Sequence, residues 1–122
     1  MIHLIKVTKK FEGGTVALKE VALHIEPGEF VSIVGQSGSG KTTIIRLLIA
    51  EIRPTAGKII IGGWDITDIK RRQIPILRRQ IGVVFQDFKL LPKKTVFENV
   101  AFALQVSGSA KSRINKIVPQ VL

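Results

Sequence analysis

The sequence predicts an α/β fold, in which helices cover a sheet. Apolar runs at residues 30–34, 58–61 and 81–85 are each bounded by glycine or a polar turn, and they predict strands. Because these runs are apolar at consecutive positions, we expect central strands that are covered on both faces. Between the first two runs, residues 41–52 carry apolar side chains at helical spacing, which predicts the order strand, helix, strand.

Two further strands are predicted ahead of these runs. Residues 21–26 alternate between apolar and polar side chains, and residues 2–8 alternate less regularly. Alternation is typical of half-exposed strands, so we expect an antiparallel edge in this part of the chain. Gly13 and Gly14 lie between the two segments and predict the turn that reverses the chain.

Two more helices are predicted after the third apolar run. Thr95 and Glu98 have the spacing of a capping box, which opens a helix that ends at Gly108. Ser109 is expected to cap a last helix, in which Pro119 predicts a break. Residue 122 falls inside an apolar stripe, so we expect the sequence to be truncated.

The composition is that of a globular domain. The chain has 122 residues, 45% hydrophobic and 23% charged, which fits one domain or a large part of one. Since it has no long apolar run and no signal peptide pattern, we expect a cytosolic protein that does not span a membrane. Cysteine is absent and His3 and His24 are isolated in the sequence. We therefore expect surface histidines, and oxygen ligands for any metal ion.

The charge balance suggests an anionic partner. The formal net charge is +10, which favours nucleic acid, acidic lipid or nucleotide phosphate. A domain divided into two pieces can also leave its basic and acidic residues on different pieces, so the charge alone does not distinguish a functional basic surface from such a division. The basic clusters at residues 70–72 and 78–79 have no aromatic neighbours that would stack on bases. We expect a solvated surface here and no nucleic-acid partner.

The strongest motif lies between the first apolar run and the first helix. Residues 35–42 fit G-x-x-x-x-G-K-[ST], in which backbone N–H groups and the helix N-terminus face phosphate oxygens. Lys41 supplies a charge for the β- and γ-phosphates, and the Thr42 hydroxyl is a ligand for Mg²⁺. The alternative is a glycine-rich turn with an unrelated lysine. The predicted phosphate-binding residues are Gly35, Gln36, Ser37, Gly38, Ser39, Gly40, Lys41, Thr42 and Thr43.

Wider stretches around this motif resemble one family. FVSIVGQSGSGKTT at residues 30–43, IRPTAGKIIIGGWDIT at 52–67 and LRRQIGVVFQDFKLLPKKTVFENV at 77–100 are similar to the nucleotide-binding domain of ABC ATPases. The resemblance covers essentially the whole chain, but only about the first half of a complete domain. It implies a P-loop NTPase fold: residues 1–94 form part of the ATPase core with an antiparallel edge subdomain, and residues 95–122 begin the helical subdomain.

The resemblance also implies ligands and residue roles. ATP and Mg²⁺ are the expected cofactors, with Phe11 stacked on adenine and Val16 beside the ribose. Gln86 matches the glutamine of the family's Q-loop, whose amide oxygen would reach Mg²⁺ or the attacking water. Gln86 and Lys41 are thus the expected catalytic residues. The loop at residues 87–92 would meet an integral-membrane subunit.

The sequence lacks three motifs that ABC ATPases need for hydrolysis: an LSGGQ signature, a Walker B strand ending in Asp-Glu, and a switch histidine. Asp87 follows an apolar run, but at the Q-loop position, and residues 107–109 predict a turn between helices. The resemblance implies that a complete protein hydrolyses ATP as a homodimer with ATP between its protomers. This chain alone would bind phosphate without the general base.

Within the family, the resemblance is greatest to its cell-division branch. It implies an ATP-binding subunit at the cytoplasmic face of the plasma membrane, where a membrane partner controls peptidoglycan remodelling at the septum. Lipoprotein-release and macrolide-export ATPases are alternatives in the same family. If 122 residues is the true length, the chain would be a non-hydrolysing nucleotide-binding or interaction fragment. A basic nucleic-acid binder is the third, disfavoured hypothesis.

Overall fold

The computed structural model describes residues 1–87 and 89–122, which form two units, residues 1–78 and residues 79–122. The helices and strands are β1 (Ile2–Lys10), β2 (Val16–Ile25), α1 (Lys41–Leu48), β3 (Ala56–Ile61), β4 (Trp64–Asp65), a 3₁₀ turn (Arg71–Gln73), α2 (Ile74–Arg79), α3 (Val96–Val106) and α4 (Lys111–Val121). The boundary predicted between residues 94 and 95 stays a prediction.

The first unit contains an antiparallel sheet with the strand order β2-β1-β3-β4. β1 and β2 pair from Ile2 opposite Ile25 to Lys10 opposite Val16, which confirms the predicted antiparallel strands. The chain reverses at Gly13, whose φ of 91° is a conformation that glycine adopts at little cost. β3 was predicted as a strand covered on both faces; it pairs antiparallel with β1 and β4 instead, and it is only partly buried.

A bulge in β1 brings two fully buried side chains to the core. Leu4 and Val7 are both 0% exposed, although their spacing would put them on opposite faces of a regular strand. Lys6, between them, has a φ of 47°, and the register of β1 shifts on both neighbouring strands at this place. The extra residue turns Val7 back to the buried face. The buried apolar side chains of this unit are Leu4, Val7, Leu18, Ile44, Leu47, Ile49, Ile59, Ile66, Ile69 and Leu77.

Two predicted strands are not formed. Residues 30–34 and 81–85 have no regular secondary structure, and Phe30 is 96% and Val84 100% exposed. A strand exists only where a neighbour completes its hydrogen bonds, and neither segment has a strand partner within the described residues. The apolar pattern was therefore insufficient, since it reports the character of the side chains and not the presence of a partner.

Helix α1 begins where predicted but ends four residues early. Its last residue is Leu48, and Ala50 has a φ of 50°, which ends the helical hydrogen-bond pattern before residue 52. The N–H groups of Ala50 and Glu51 donate to the carbonyls of Leu47 and Arg46, at 3.0 and 2.9 Å. The Arg46 side chain also donates to the Glu51 carboxylate at 2.9 Å. The turn therefore provides hydrogen-bond donors for the carbonyls of Arg46 and Leu47, which would have bonded within the helix if it had continued to residue 52.

The second unit contains the helical hairpin of α3 and α4. Ala101, Ile114 and Val118 are buried together between the two helices, with Val100 and Leu104 packed against them. The predicted end of α3 is confirmed, because Gly108 has a φ of 83° and donates to the Gln105 carbonyl at 3.0 Å.

Two details of α4 correct the sequence analysis. Ser109 does not cap α4: its N–H donates to the Leu104 carbonyl at 2.9 Å, so it completes the end of α3, and the N-cap of α4 is Ala110. Pro119 lies inside α4 and does not break it. It stands in the last turn, where the missing N–H removes a single hydrogen bond from the end of the helix.

The predicted capping box of α3 is confirmed. The Thr95 hydroxyl accepts a hydrogen bond from the Glu98 N–H at 3.2 Å, and the Glu98 carboxylate accepts from the Thr95 N–H at 2.8 Å. We expect Thr95→Ala to lower the free energy of unfolding by about 1 kcal/mol, the usual contribution of a threonine cap. Urea denaturation followed by circular dichroism measures the change. Thr95→Ser, which keeps the hydroxyl, is the control, and an equal loss in both variants would contradict this role.

The carboxylate of this box makes α3 sensitive to acid. Hydrogen bonds from the Thr95 backbone, the Lys94 ammonium and the Thr95 hydroxyl hold the pKa of Glu98 below its ordinary value of 4.5. Because the folded state favours the charged form, this contribution is complete above pH 4.5 and is lost as the pH falls through the lowered pKa. We expect Glu98→Gln, which keeps an acceptor without the charge, to lose less stability on acidification than the parent chain. The measurement is the melting temperature, followed by circular dichroism at a series of pH values. An equal fall of the melting temperature with acid in both proteins would exclude Glu98 as its source.

Candidate functional site

The glycine-rich loop leads directly into the first turn of α1. Gly40 is the N-cap residue and has a φ of 92°, and Gly38 has a φ of 82°, both in the left-handed region that glycine favours. The Ser39 N–H donates to the Gln36 carbonyl at 3.2 Å, which closes the loop into a turn. The first turn of α1 contains no acidic side chain. Its free N–H groups and positive dipole end therefore face no carboxylate of their own helix, and they suit an anion.

The Lys41 side chain folds back across this loop. Its Nζ donates to the Gly35 and Gln36 carbonyls at 2.7 and 2.6 Å, and to the Ser39 hydroxyl at 3.3 Å. A Cβ at Gly35 would lie 2.7 Å from the Ser39 Oγ, so the loop closes tightly at this glycine. The ammonium group is therefore held against the loop by these hydrogen bonds, at a position where it can offset phosphate charge.

The loop also packs against the hairpin of β1 and β2. A Cβ at Gly40 would lie 2.6 Å from the Ala17 carbonyl oxygen and 2.7 Å from Leu18 Cδ2. This close approach places the loop beside Val16, the first residue of β2, which is 50% exposed. The structure thus brings the predicted ribose-contacting residue and the predicted phosphate loop together.

Phe11 lies at the turn of the same hairpin. Its N–H donates to the Thr15 carbonyl at 2.9 Å, and its carbonyl accepts from Gly14 at 3.1 Å. The Lys9 ammonium lies 5.2 Å from the ring centroid, which is cation–π distance. The residue is half-buried: hydrogen bonds fix its main chain in the turn, and a cation lies near the face of its ring. Its stacking on adenine stays a prediction.

Two threonines follow Lys41 in the first turn of α1. Thr42 is exposed and Thr43 is half-buried, so the Thr42 hydroxyl is accessible from solvent. Among the described residues, no group of three or more histidine, aspartate or glutamate side chains is arranged to hold a metal ion. Mg²⁺ bound to nucleotide keeps most of its waters and needs one or two protein oxygens, so a single hydroxyl fits that requirement.

Gln86 belongs to the second unit, and the structure does not test its predicted place beside the phosphates. Its side chain is exposed. The neighbouring Asp87 pairs with Lys89 at 2.6 Å, and the hydrogen bond from Lys89 lowers the pKa of the Asp87 carboxyl. Asp87 therefore has a local partner in Lys89. The loop predicted at residues 87–92 includes residue 88, which lies outside the described residues.

Sequence reasoning missed Asn99, which organises the segment after that loop. Its Oδ1 accepts from the Leu91 N–H at 2.7 Å, and its Nδ2 donates to the Leu91, Lys94 and Thr95 carbonyls at 3.3, 3.2 and 2.9 Å. Asparagine is a poor helix former, so its place as the fourth residue of α3 was the available signal.

The family model described as "ABC transporter" matches residues 18–121. The chain belongs to the ABC transporter family. The match includes the glycine-rich loop, α1 and the capping box of α3. In the part of the chain that the structure describes, no helix is long and apolar enough to cross a membrane.

Relatives within the ABC transporter family include cell-division proteins. The chain is 53% identical over 122 residues to the cell division ATP-binding protein FtsE of Bacillus subtilis (strain 168), and 44% identical to FtsE of Escherichia coli (strain K12). The alignments include 100% of this chain, but 54% and 55% of those relatives. The chain therefore spans about half the length of the curated relatives it matches.

Solved structures show the same ABC fold. The chain matches the ATP-binding cassette MJ0796, described as a dimer in a post-hydrolysis state bound to ADP and Pi, with a TM-score of 0.89 and 36% identity. That match covers 98% of this chain and 55% of MJ0796. The ABC protein cbiO1 of Clostridium perfringens matches with a TM-score of 0.80 and 30% identity over 94% of this chain and 46% of its own. The predicted ABC-type α/β fold is confirmed.

Proposed function

We propose that this chain is the nucleotide-binding part of an FtsE-like ABC ATPase and that it holds ATP at the glycine-rich loop. The observation that carries the proposal is the position of the Lys41 ammonium, which donates hydrogen bonds to the Gly35 and Gln36 carbonyls at the start of α1. This arrangement places a positive charge and the free N–H groups of the helix N-terminus in the same loop, as phosphate binding requires. The MJ0796 cassette, bound to ADP and Pi, supports a nucleotide as the anion.

The nucleotide would be held at two ends. Residues 35–43 would bind the phosphates, while Val16 and Phe11 would contact the ribose and adenine from the hairpin that the loop touches at Ala17. Thr42 would hold Mg²⁺, and the family resemblance assigns a second ligand oxygen to Gln86; the ion would supply positive charge that offsets the charge of the phosphates. Gln86 is also proposed to orient the attacking water.

The proposed biological role is that of the FtsE relatives. The complete protein would act in cell division with an FtsX-like integral-membrane partner, at the cytoplasmic face of the plasma membrane, and ATP turnover would control peptidoglycan remodelling. It would form a homodimer with ATP between its protomers, an arrangement supported by the dimeric MJ0796 cassette. Lipoprotein release and macrolide export are the alternative roles for the same family.

A second candidate function is a non-hydrolysing module that binds nucleotide or associates with a partner. The exposure of Phe30 and Val84, at 96% and 100%, favours association, because large apolar side chains in water drive contact with another surface. In the ATPase proposal, the same segments at residues 30–34 and 81–85 would be strands of a core formed by residues 1–94 and the remainder of a complete domain, with residues 95–122 opening a helical subdomain.

Nucleotide selectivity tests the phosphate-binding proposal. Calorimetric titration of the chain with ATP, ADP and AMP in Mg²⁺ is expected to give similar affinities for ATP and ADP and at least tenfold weaker binding of AMP. Because the net charge is +10, the titrations are repeated at high salt, which weakens non-specific attraction most. Equal affinity for the three nucleotides, or binding that disappears at high salt, would contradict a built phosphate site.

A chimera tests the cell-division role. This chain replaces the matching half of Bacillus subtilis FtsE, and the chimera is expected to co-purify with FtsX and to hydrolyse ATP. Its control is the same exchange made in a macrolide-export ATPase, tested against the same partner. A chimera that hydrolyses ATP but does not co-purify with FtsX would favour the alternative roles. A chimera that binds ATP without hydrolysing it would favour the non-hydrolysing module.

A further inference from the structure

The histidines that are isolated in the sequence meet in the fold. His3 of β1 stands directly opposite His24 of β2 in the antiparallel register. Their ring centroids are 4.7 Å apart, and the ring planes are nearly perpendicular, at 87°. Both histidines lie at the surface, as predicted, but the strand register aligns these two residues, which are far apart in the chain.

A carboxylate fixes one of these rings. His24 Nε2 lies 2.6 Å from the Glu26 Oε1. An ionised carboxylate only accepts hydrogen bonds, so Nε2 carries the proton and Nδ1 of a neutral His24 is left with its lone pair. Histidines that bind metal ions commonly donate their other ring N–H to a carboxylate in this way.

The pair is accessible and lies near negative charge. The side chain of His24 is 43% exposed, His3 is half-buried, and β2 stands at one end of the strand order within the described residues. The Glu29 carboxylate accepts from the Glu26 N–H at 2.7 Å, so two carboxylates gather at the end of β2. Their charge opposes the repulsion of a cation by this basic chain.

We propose that His3 and His24 form a two-nitrogen chelate for Cu²⁺ and, more weakly, Ni²⁺, with Glu26 as a positioning residue and water as the other ligands. Two imidazoles bound at about 2.1 Å to one ion at a right angle have ring centroids about 4.6 Å apart, close to the 4.7 Å between His3 and His24. Right-angled corners belong to the tetragonal geometry of Cu²⁺ and Ni²⁺, and Cu²⁺ binds such ligands most strongly among divalent first-row ions. The site is separate from the phosphate loop and needs no nucleotide.

Calorimetric titration with Cu²⁺ and with Ni²⁺, without nucleotide, tests the proposal. The protein is the full chain without a histidine tag and with two extra residues ahead of Met1. A free amino terminus with histidine as the third residue binds Cu²⁺ by itself through the amino group and backbone nitrogens, and the extra residues remove this competing site. We expect a single site for each ion, with at least tenfold weaker binding in His3→Asn and in His24→Asn. Glu26→Gln is expected to weaken binding roughly tenfold. Circular dichroism confirms that each variant is folded.

A stability measurement and a second variant complete the test. Cu²⁺ is expected to raise the melting temperature of the parent chain but not of His24→Asn, since an ion that binds only the folded state stabilises it. His24→Gln, a second variant at the exposed position, is expected to behave like His24→Asn. Unchanged affinity in the His24 variants, or binding that requires a free amino terminus, would overturn the cross-strand site.

Discussion

Gly57→Ala is expected to lower the free energy of unfolding of the first unit by roughly 3 kcal/mol or more. Gly57 has a φ of 88°, in the left-handed region, which costs other residues about 1–2 kcal/mol. In addition, a Cβ at this position would overlap the carbonyl oxygen of Lys6 and lie 2.6 Å from that of Ile5. These are backbone atoms of the β1 bulge, so relief requires β1 and β3 to separate.

Gly14 is the matched control for this prediction. Its φ of 87° is nearly the same, but a Cβ there would meet nothing within 4 Å. Gly14→Ala therefore reports the strain of the backbone alone, and the difference between the two variants reports the clash with β1. Urea denaturation of both variants measures this difference. Equal destabilisation by the two substitutions would show that the approach of β3 to the bulge is not tight.

The local features of the fold were predictable because neighbouring residues determine them. The start of α1 at Lys41, the turn at Gly13 and the capping box of Thr95 and Glu98 each follow from residues within a few positions. The antiparallel pairing of β1 with β2 was also predictable, because a short glycine-containing connection joins two segments of alternating polarity.

The features that were not predictable depend on distant residues. The bulge at Lys6 lies against Gly57, which is about fifty residues away in the sequence, so no local pattern predicts it. The pairing of His3 with His24 depends on the register of β1 and β2, which the alternation of apolar and polar residues does not define. The exposed apolar run around Phe30 also shows that distant residues decide whether a strand forms. Its apolar pattern was identified correctly, but a strand also needs a partner, which is a long-range property.

At the candidate site, the motif predicted the residues but not the packing between them. The position of Lys41 in its loop could be inferred from spacing alone. The contact of Gly40 with Ala17, which sets the loop against the hairpin that carries Val16, could not. Asn99 was missed for a related reason: its four hydrogen bonds reach back to residues 91–95, and no local motif describes them.

Lys41→Ala is expected to weaken ATP and ADP binding about 10- to 100-fold and to leave AMP binding nearly unchanged. A hydrogen bond to a charged group contributes about 1.5–3 kcal/mol, which corresponds to this range of affinity. The effect depends on phosphate number because the motif directs the ammonium to the β- and γ-phosphates, which AMP lacks. The fold is expected to tolerate the change, since the hydrogen bonds of Lys41 to its loop are solvent-exposed.

Lys116→Ala is the matched control, because it removes the same charge from an exposed position on α4. On a chain with a net charge of +10, any lost lysine weakens a non-specific attraction for nucleotides, and this control measures that contribution. Calorimetric titration of both variants with ATP, ADP and AMP separates the two causes. A selective loss of ATP and ADP affinity in Lys41→Ala alone assigns the phosphates to the loop. Equal losses in both variants would mean that ATP is attracted by the general charge of the chain, and the glycine-rich loop would then be a turn whose lysine serves only to close it.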